Sequence, residues 1–68
     1  MGEEALTPRE IEVVKHLAEG NRNKDIGERL FISEETVKVH IKHIMEKLGA
    51  NDRTQAVAIA VRRGIIQL

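Results

Sequence analysis

Apolar residues recur every three or four positions along most of this chain, the spacing of helices with one buried face. Ile11, Val14, Leu17 and Ala18 keep that spacing, Ile26 and Leu30 repeat it, and Val37, Ile41, Ile44 and Leu48 keep it longest. No run alternates apolar and polar residues as a half-buried strand would. The pattern predicts an all-α domain of four helices, with boundaries written in cap chemistry.

Thr7, Pro8 and Glu10 open the first helix as N-cap, first helical residue and reciprocal capping partner, with Leu6 and Ile11 as a hydrophobic staple. That helix is expected over 8–19, ended by Gly20 in a left-handed conformation. Asn23 is the expected N-cap of a short second helix. It contains Gly27, which costs roughly 1 kcal/mol against alanine and is tolerable if another helix packs closely there. Ser33 caps the third helix and Gly49 ends it. Asp52 caps the fourth, with Gln55 as capping partner, and Gly64 stops it. The closing IIQL is expected to fold back over the core. Only FIS separates the second and third helices, and two helices joined so tightly form a helix-turn-helix, whose second member enters the DNA major groove.

The third helix has a second face. With Val37 at zero and about 100° per residue, the apolar seam lies within about 40° of zero. Lys38, Lys42, Glu35, Glu46 and Val39 fall between about 100° and 200°, and His43 near 240°. Val39 thus points away from the core between two lysines. A solvated face gains nothing from this valine, although single exposed valines are common. In a major groove, lysine can reach guanine O6 and N7, and an apolar side chain can meet the thymine methyl. Ser33 and Thr36, at the helix start, can hydrogen-bond phosphate. Glu35 and Glu46 oppose phosphate, though Glu35 can accept from cytosine N4.

The 68 residues suffice for one small domain. Residues 1–5, MGEEA, read as an acidic tail and 6–68 as the domain. Eleven basic and eleven acidic residues leave no net charge, so bulk charge does not suggest nucleic acid. The distribution is uneven: residues 1–12 carry one basic and four acidic side chains, residues 52–63 three basic and one acidic. The absence of cysteine excludes disulfides and thiol chemistry, and a reduced, cytoplasmic setting is expected. No apolar run is long enough for a membrane span. No signal peptide is visible, and Leu6 stands where a myristoylation signal has Ser or Thr.

The pieces LTPRE, EG, NKDI, TVKVHI and KL, with Leu30, Ser33, Arg53 and Ala56, resemble the LuxR-type (GerE-like) helix-turn-helix domain of bacterial transcription regulators. The likeness covers nearly the whole chain and is strongest to output domains of NarL/FixJ-type response regulators, which follow a receiver domain. No receiver lies within this chain, so a fragment or a stand-alone regulator is expected. The resemblance implies a tetrahelical fold and a recognition helix over 34–48. It places Lys38, Val39 and Lys42 toward bases and Thr36 toward phosphate. The family's second helix approaches the DNA backbone, which adds Asn23 and Lys24; Ser33 and His43 complete the phosphate-contacting candidates. His40 belongs to the family's TVKxH signature. Gly27 departs from the family's usual alanine and is expected to loosen the second helix.

In the fourth helix, Ala56, Ile59 and Ala60 can face the core, whereas Val57, Ala58 and Val61 form a second apolar stripe. LuxR-type domains pair through this helix, so the stripe is the expected homodimer surface on an inverted repeat of double-stranded DNA; the alternative is that IIQL covers it. RNA polymerase is a further candidate partner. No cofactor, metal or small-molecule ligand is expected: His40 and His43 are three apart, but no carboxylate or third ligand has metal-site spacing, and no nucleophile triad or phosphate loop is present. Two other readings stay open, a promoter-reading module like sigma-factor region four and a helical protein-interaction module.

Overall fold

The computed structural model describes residues 5–68; residues 1–4 of the expected acidic tail lie outside the described residues. Among the described residues four helices run in order: α1 (Pro8–Ala18), α2 (Asn23–Leu30), α3 (Glu34–Leu48) and α4 (Arg53–Arg62). Each starts where backbone N–H groups lack helical partners. Thr7 Oγ1 accepts the Glu10 N–H at 3.1 Å, while Glu10 Oε1 accepts the Thr7 N–H at 2.8 Å, the expected reciprocal box. Ser33 Oγ accepts the Thr36 N–H at 3.0 Å, and Asp52 Oδ1 the Gln55 N–H at 2.8 Å.

Two boundaries differ from expectation. α1 ends at Ala18, with Glu19 as its C-cap. α2 is capped by Arg22, not Asn23. The Asp25 carboxylate takes both the backbone N–H and the Nε–H of Arg22, at 3.1 and 3.3 Å. These bonds hold the Asp25 carboxyl below its usual range. Asn23 becomes the first helical residue, and its side chain turns toward α4.

α1 and α3 each pack against all three other helices, whereas α2 and α4 do not pack on each other. The seam of α3 is buried as expected: Val37, Ile41, Ile44 and Leu48 join Ile26, Ala56, Ile59 and Ala60 in one core. Burying one such aliphatic side chain is worth roughly 1.5–3 kcal/mol. α1 contributes Val13 beside Val14 and Leu17, while Ile11 and Ala18 are only half-buried. Its inward arc is turned toward Val13, which is fully buried. After α4 the chain turns at Gly64, and Ile65 and Ile66 donate to the Ala60 carbonyl. Ile66 is buried, but Leu68 is exposed, so the closing segment covers the core only in part.

The α2–turn–α3 unit is tight. Phe31 adopts a left-handed conformation, φ 60°, and projects its ring into solvent. Gly27 is buried beneath the turn: a Cβ there would lie 2.7 Å from the Ile32 carbonyl oxygen. The nearest neighbour is the backbone of the turn, and the first residue of α3 is close as well, with Glu34 N 3.5 Å from the same point. An alanine would push the turn outward, so Gly27 lets α2 and α3 approach closely. Gly49, φ 68°, closes α3 in the left-handed form.

Candidate nucleic-acid interface

The buried seam of α3 leaves its opposite side in solvent. Lys38, Val39, Lys42 and His43 are all exposed there, and Val39 keeps 51% of its surface accessible. That is large for a valine flanked by charges, so the angular placement made from the sequence holds in three dimensions. Lys38 Nζ lies 3.4 Å from Glu35 Oε2 one turn earlier. The pair is exposed on both sides, and such pairs are worth little in water. Glu35 thus faces the basic side chain rather than standing apart from it.

At the start of α3, Ser33 Oγ and Thr36 Oγ1 are 2.8 Å apart, so one hydroxyl donates to the other. Ser33 already accepts the Thr36 N–H, and the pair therefore retains one hydroxyl proton for an outside acceptor. Lys24 is exposed and Asn23 half-exposed at the start of α2.

A groove of about 280 Å³ runs between α3 and the loop leading into α4. Asn23, Lys38 and Lys42 share its walls, with Ile41 and Met45 as apolar surface, so one candidate from α2 and two from α3 converge there. Arg53, part of the family pattern but not among the candidate DNA contacts, lines the same groove. Its Nη2 donates to Asn23 Oδ1 at 2.7 Å, across 30 residues of chain. The sequence signals were the arginine itself, within the basic segment 52–63, and its place in the family pattern; neither reveals the nearness of Asn23.

On α4, Val57 and Val61 are half-buried against the core, while Ala58 is exposed. The stripe thus remains partly open. A second groove, of about 480 Å³, lies beside Val57 between the start of α4 and the α1–α2 loop. His40 is half-buried and His43 exposed. Among the described residues no group of three or more His, Cys, Asp or Glu side chains could hold a metal, and no helix is long and apolar enough to cross a membrane.

Comparison with known proteins gives a consistent result. The family described as "Bacterial regulatory proteins, luxR family" matches residues 4–60. The uncharacterized transcriptional regulatory protein YxjL of Bacillus subtilis is 55% identical over 64 residues, covering 94% of this chain and 29% of that protein. The transcriptional regulatory protein LiaR of Bacillus subtilis is 51% identical over 63 residues, 93% of this chain and 30% of that protein. This chain thus spans less than a third of either relative. Among solved structures, the transcription factor GerE superposes with a TM-score of 0.85 at 40% identity, covering 91% of this chain and 94% of that one. The response regulator ChrA, of a heme-sensing two-component system, superposes with a TM-score of 0.91 at 42% identity, over 97% of this chain and 33% of its own. Fold, helix-turn-helix geometry and identity agree: the chain belongs to the luxR family of bacterial regulatory proteins, as a DNA-binding helix-turn-helix domain of its transcription regulators.

Proposed function

We propose that α3 enters the DNA major groove and reads sequence through Lys38, Val39 and Lys42. The observation that carries this reading is the exposed valine between two exposed lysines on the side of α3 opposite its buried seam. Lysine ammonium groups donate to guanine O6 and N7, and Val39 offers an apolar contact for a thymine methyl. Ser33, Thr36, Asn23, Lys24 and His43 contact phosphates at the margin and set the register. No cofactor, metal or catalytic step is part of this reading.

The domain acts as the output of a response regulator in the cytoplasm. It binds as a pair on an inverted repeat, with Val57, Ala58 and Val61 near the two-fold axis, and it works with RNA polymerase. Similarity to ChrA, a response regulator, supports the first point, and the partly open stripe on α4 supports the second.

The test begins by selecting preferred duplexes from a random pool. Thymines in the selected site are then replaced by uracil, which removes only the C5 methyl. At one position the wild-type domain should lose about 0.8 kcal/mol, the worth of one buried methyl-sized group, whereas Val39→Asn, which offers that methyl no apolar contact, should be indifferent to the exchange. If both proteins respond alike at every thymine, Val39 does not face a base.

A further inference from the structure

We infer that Arg53 is a phosphate-contacting residue, held in the DNA interface by Asn23, so that the interface extends from the recognition helix onto the start of α4. This rests on the reading that the Lys38–Lys42 face of α3 meets DNA. Three observations carry it further.

Arg53 lines the same groove as Lys38 and Lys42. Three cationic side chains therefore meet in a chain whose formal net charge is zero. Asp52 also lines this groove, but its Oδ1 accepts the Gln55 N–H within the α4 cap. Among the described residues no carboxylate pairs with the Arg53 guanidinium.

The hydrogen bond from Arg53 Nη2 to Asn23 Oδ1 is not a by-product of helix packing, because α2 and α4 do not pack on each other. It spans the gap between them. A guanidinium carries five N–H donors and no acceptor, so the Asn23 amide must turn its oxygen toward Arg53. Its NH₂ group is thereby aimed elsewhere, and that is the only part of the Asn23 side chain able to donate to a phosphate. Arg53 keeps its remaining donors, in the planar fork that matches a phosphate. One backbone phosphate at the mouth of the groove would accept from both residues, and each holds the other in place.

A phosphate contact and a merely structural clasp differ in salt dependence. Each neutralised phosphate adds about 0.9 to the slope of log K against log salt on duplex DNA. The experiment titrates wild type, Arg53→Ala and Arg53→Gln against one random-sequence 30-base-pair duplex across a salt series, with thermal melts alongside. Arg53→Gln removes the charge and keeps an amide donor, but its shorter side chain stops short of Asn23 Oδ1, so it is the salt slope and not the clasp that this variant tests. Both variants should bind about 3- to 10-fold more weakly at low salt, with the slope reduced by about 0.9, and equally so on a second duplex of unrelated sequence. Arg53→Gln should melt near the wild type. An unchanged slope for Arg53→Gln overturns the inference, whatever happens to stability. Lys42→Ala serves as the reference: if its slope falls while that of Arg53→Gln does not, only the role of Arg53 is lost. If neither slope moves, the α3 face is not the DNA face, and both readings fail.

Discussion

Lys47 Nζ, near the end of α3, lies 2.8 Å from Glu10 Oε1, in the first turn of α1. The same oxygen accepts the Thr7 N–H, so one carboxylate both caps α1 and ties it to α3. Glu10 is 4% exposed and is the buried charged residue of the described core. A charge taken out of water is costly unless paired and hydrogen-bonded, and here it is both. The pair joins the start of α1 to the end of α3.

This geometry predicts an acid-sensitive contribution to stability. Burial pushes the Glu10 carboxyl up, but hydrogen bonds from Lys47 and Thr7 and the Lys47 charge outweigh it, so the pKa is held below its ordinary 4.5. A carboxylate depressed in the folded state stabilises fully above its unfolded pKa, and that share is lost as pH falls through the folded value. Urea midpoints of the wild type should fall more steeply than those of Glu10→Gln as pH is lowered from 4.5. Parallel curves for the two proteins would remove Glu10 from the acid response.

Breaking the pair from its lysine side should be costly. Lys47→Met leaves a buried carboxylate unpaired at neutral pH, with an expected loss of about 2–4 kcal/mol. Glu10→Gln in the same chain removes that charge yet still lets the side chain accept from the Thr7 N–H. The double variant should recover much of the loss, a coupling that chemical denaturation measures directly. Additive losses would mean that the two side chains do not interact.

For the reading face, Lys38→Ala or Lys42→Ala should each weaken binding to a selected site by about 1–3 kcal/mol where the contact is to a base. Melting temperatures should barely change, since both side chains are exposed. Titrations on matched and mismatched duplexes separate a base contact, which relaxes specificity at one position, from a phosphate contact, which weakens all sites alike.

On α4, Val61→Glu should abolish cooperative binding to a two-half-site duplex while leaving a single half-site nearly as well bound. Val61 is half-buried, so some stability will be lost as well. Ala58→Arg supplies the cleaner variant, because Ala58 is exposed and its replacement leaves the core intact. Weak pairing of this kind depends on DNA holding both copies at high effective concentration. Persistent cooperativity in Ala58→Arg would place the dimer surface elsewhere.

The sequence by itself determined the number and type of elements, three of the four N-caps, and the angular division of α3. The bonds from Thr7 to Glu10, Ser33 to Thr36 and Asp52 to Gln55 each span three residues, so a local pattern contains both partners. The seam of Val37, Ile41, Ile44 and Leu48 is legible for the same reason: helical periodicity fixes directions around one axis. Hence the exposure of Lys38, Val39 and Lys42 was also readable. Periodicity does not say which neighbour lies in each direction. Only the tertiary structure turned Val13 inward and drew the Asn23 side chain off the cap position toward Arg53. It also brought Lys47 to Glu10, 37 residues away. These relations depend on how four helices stack, and helix stacking is decided by packing across the whole core, which no three-residue pattern encodes.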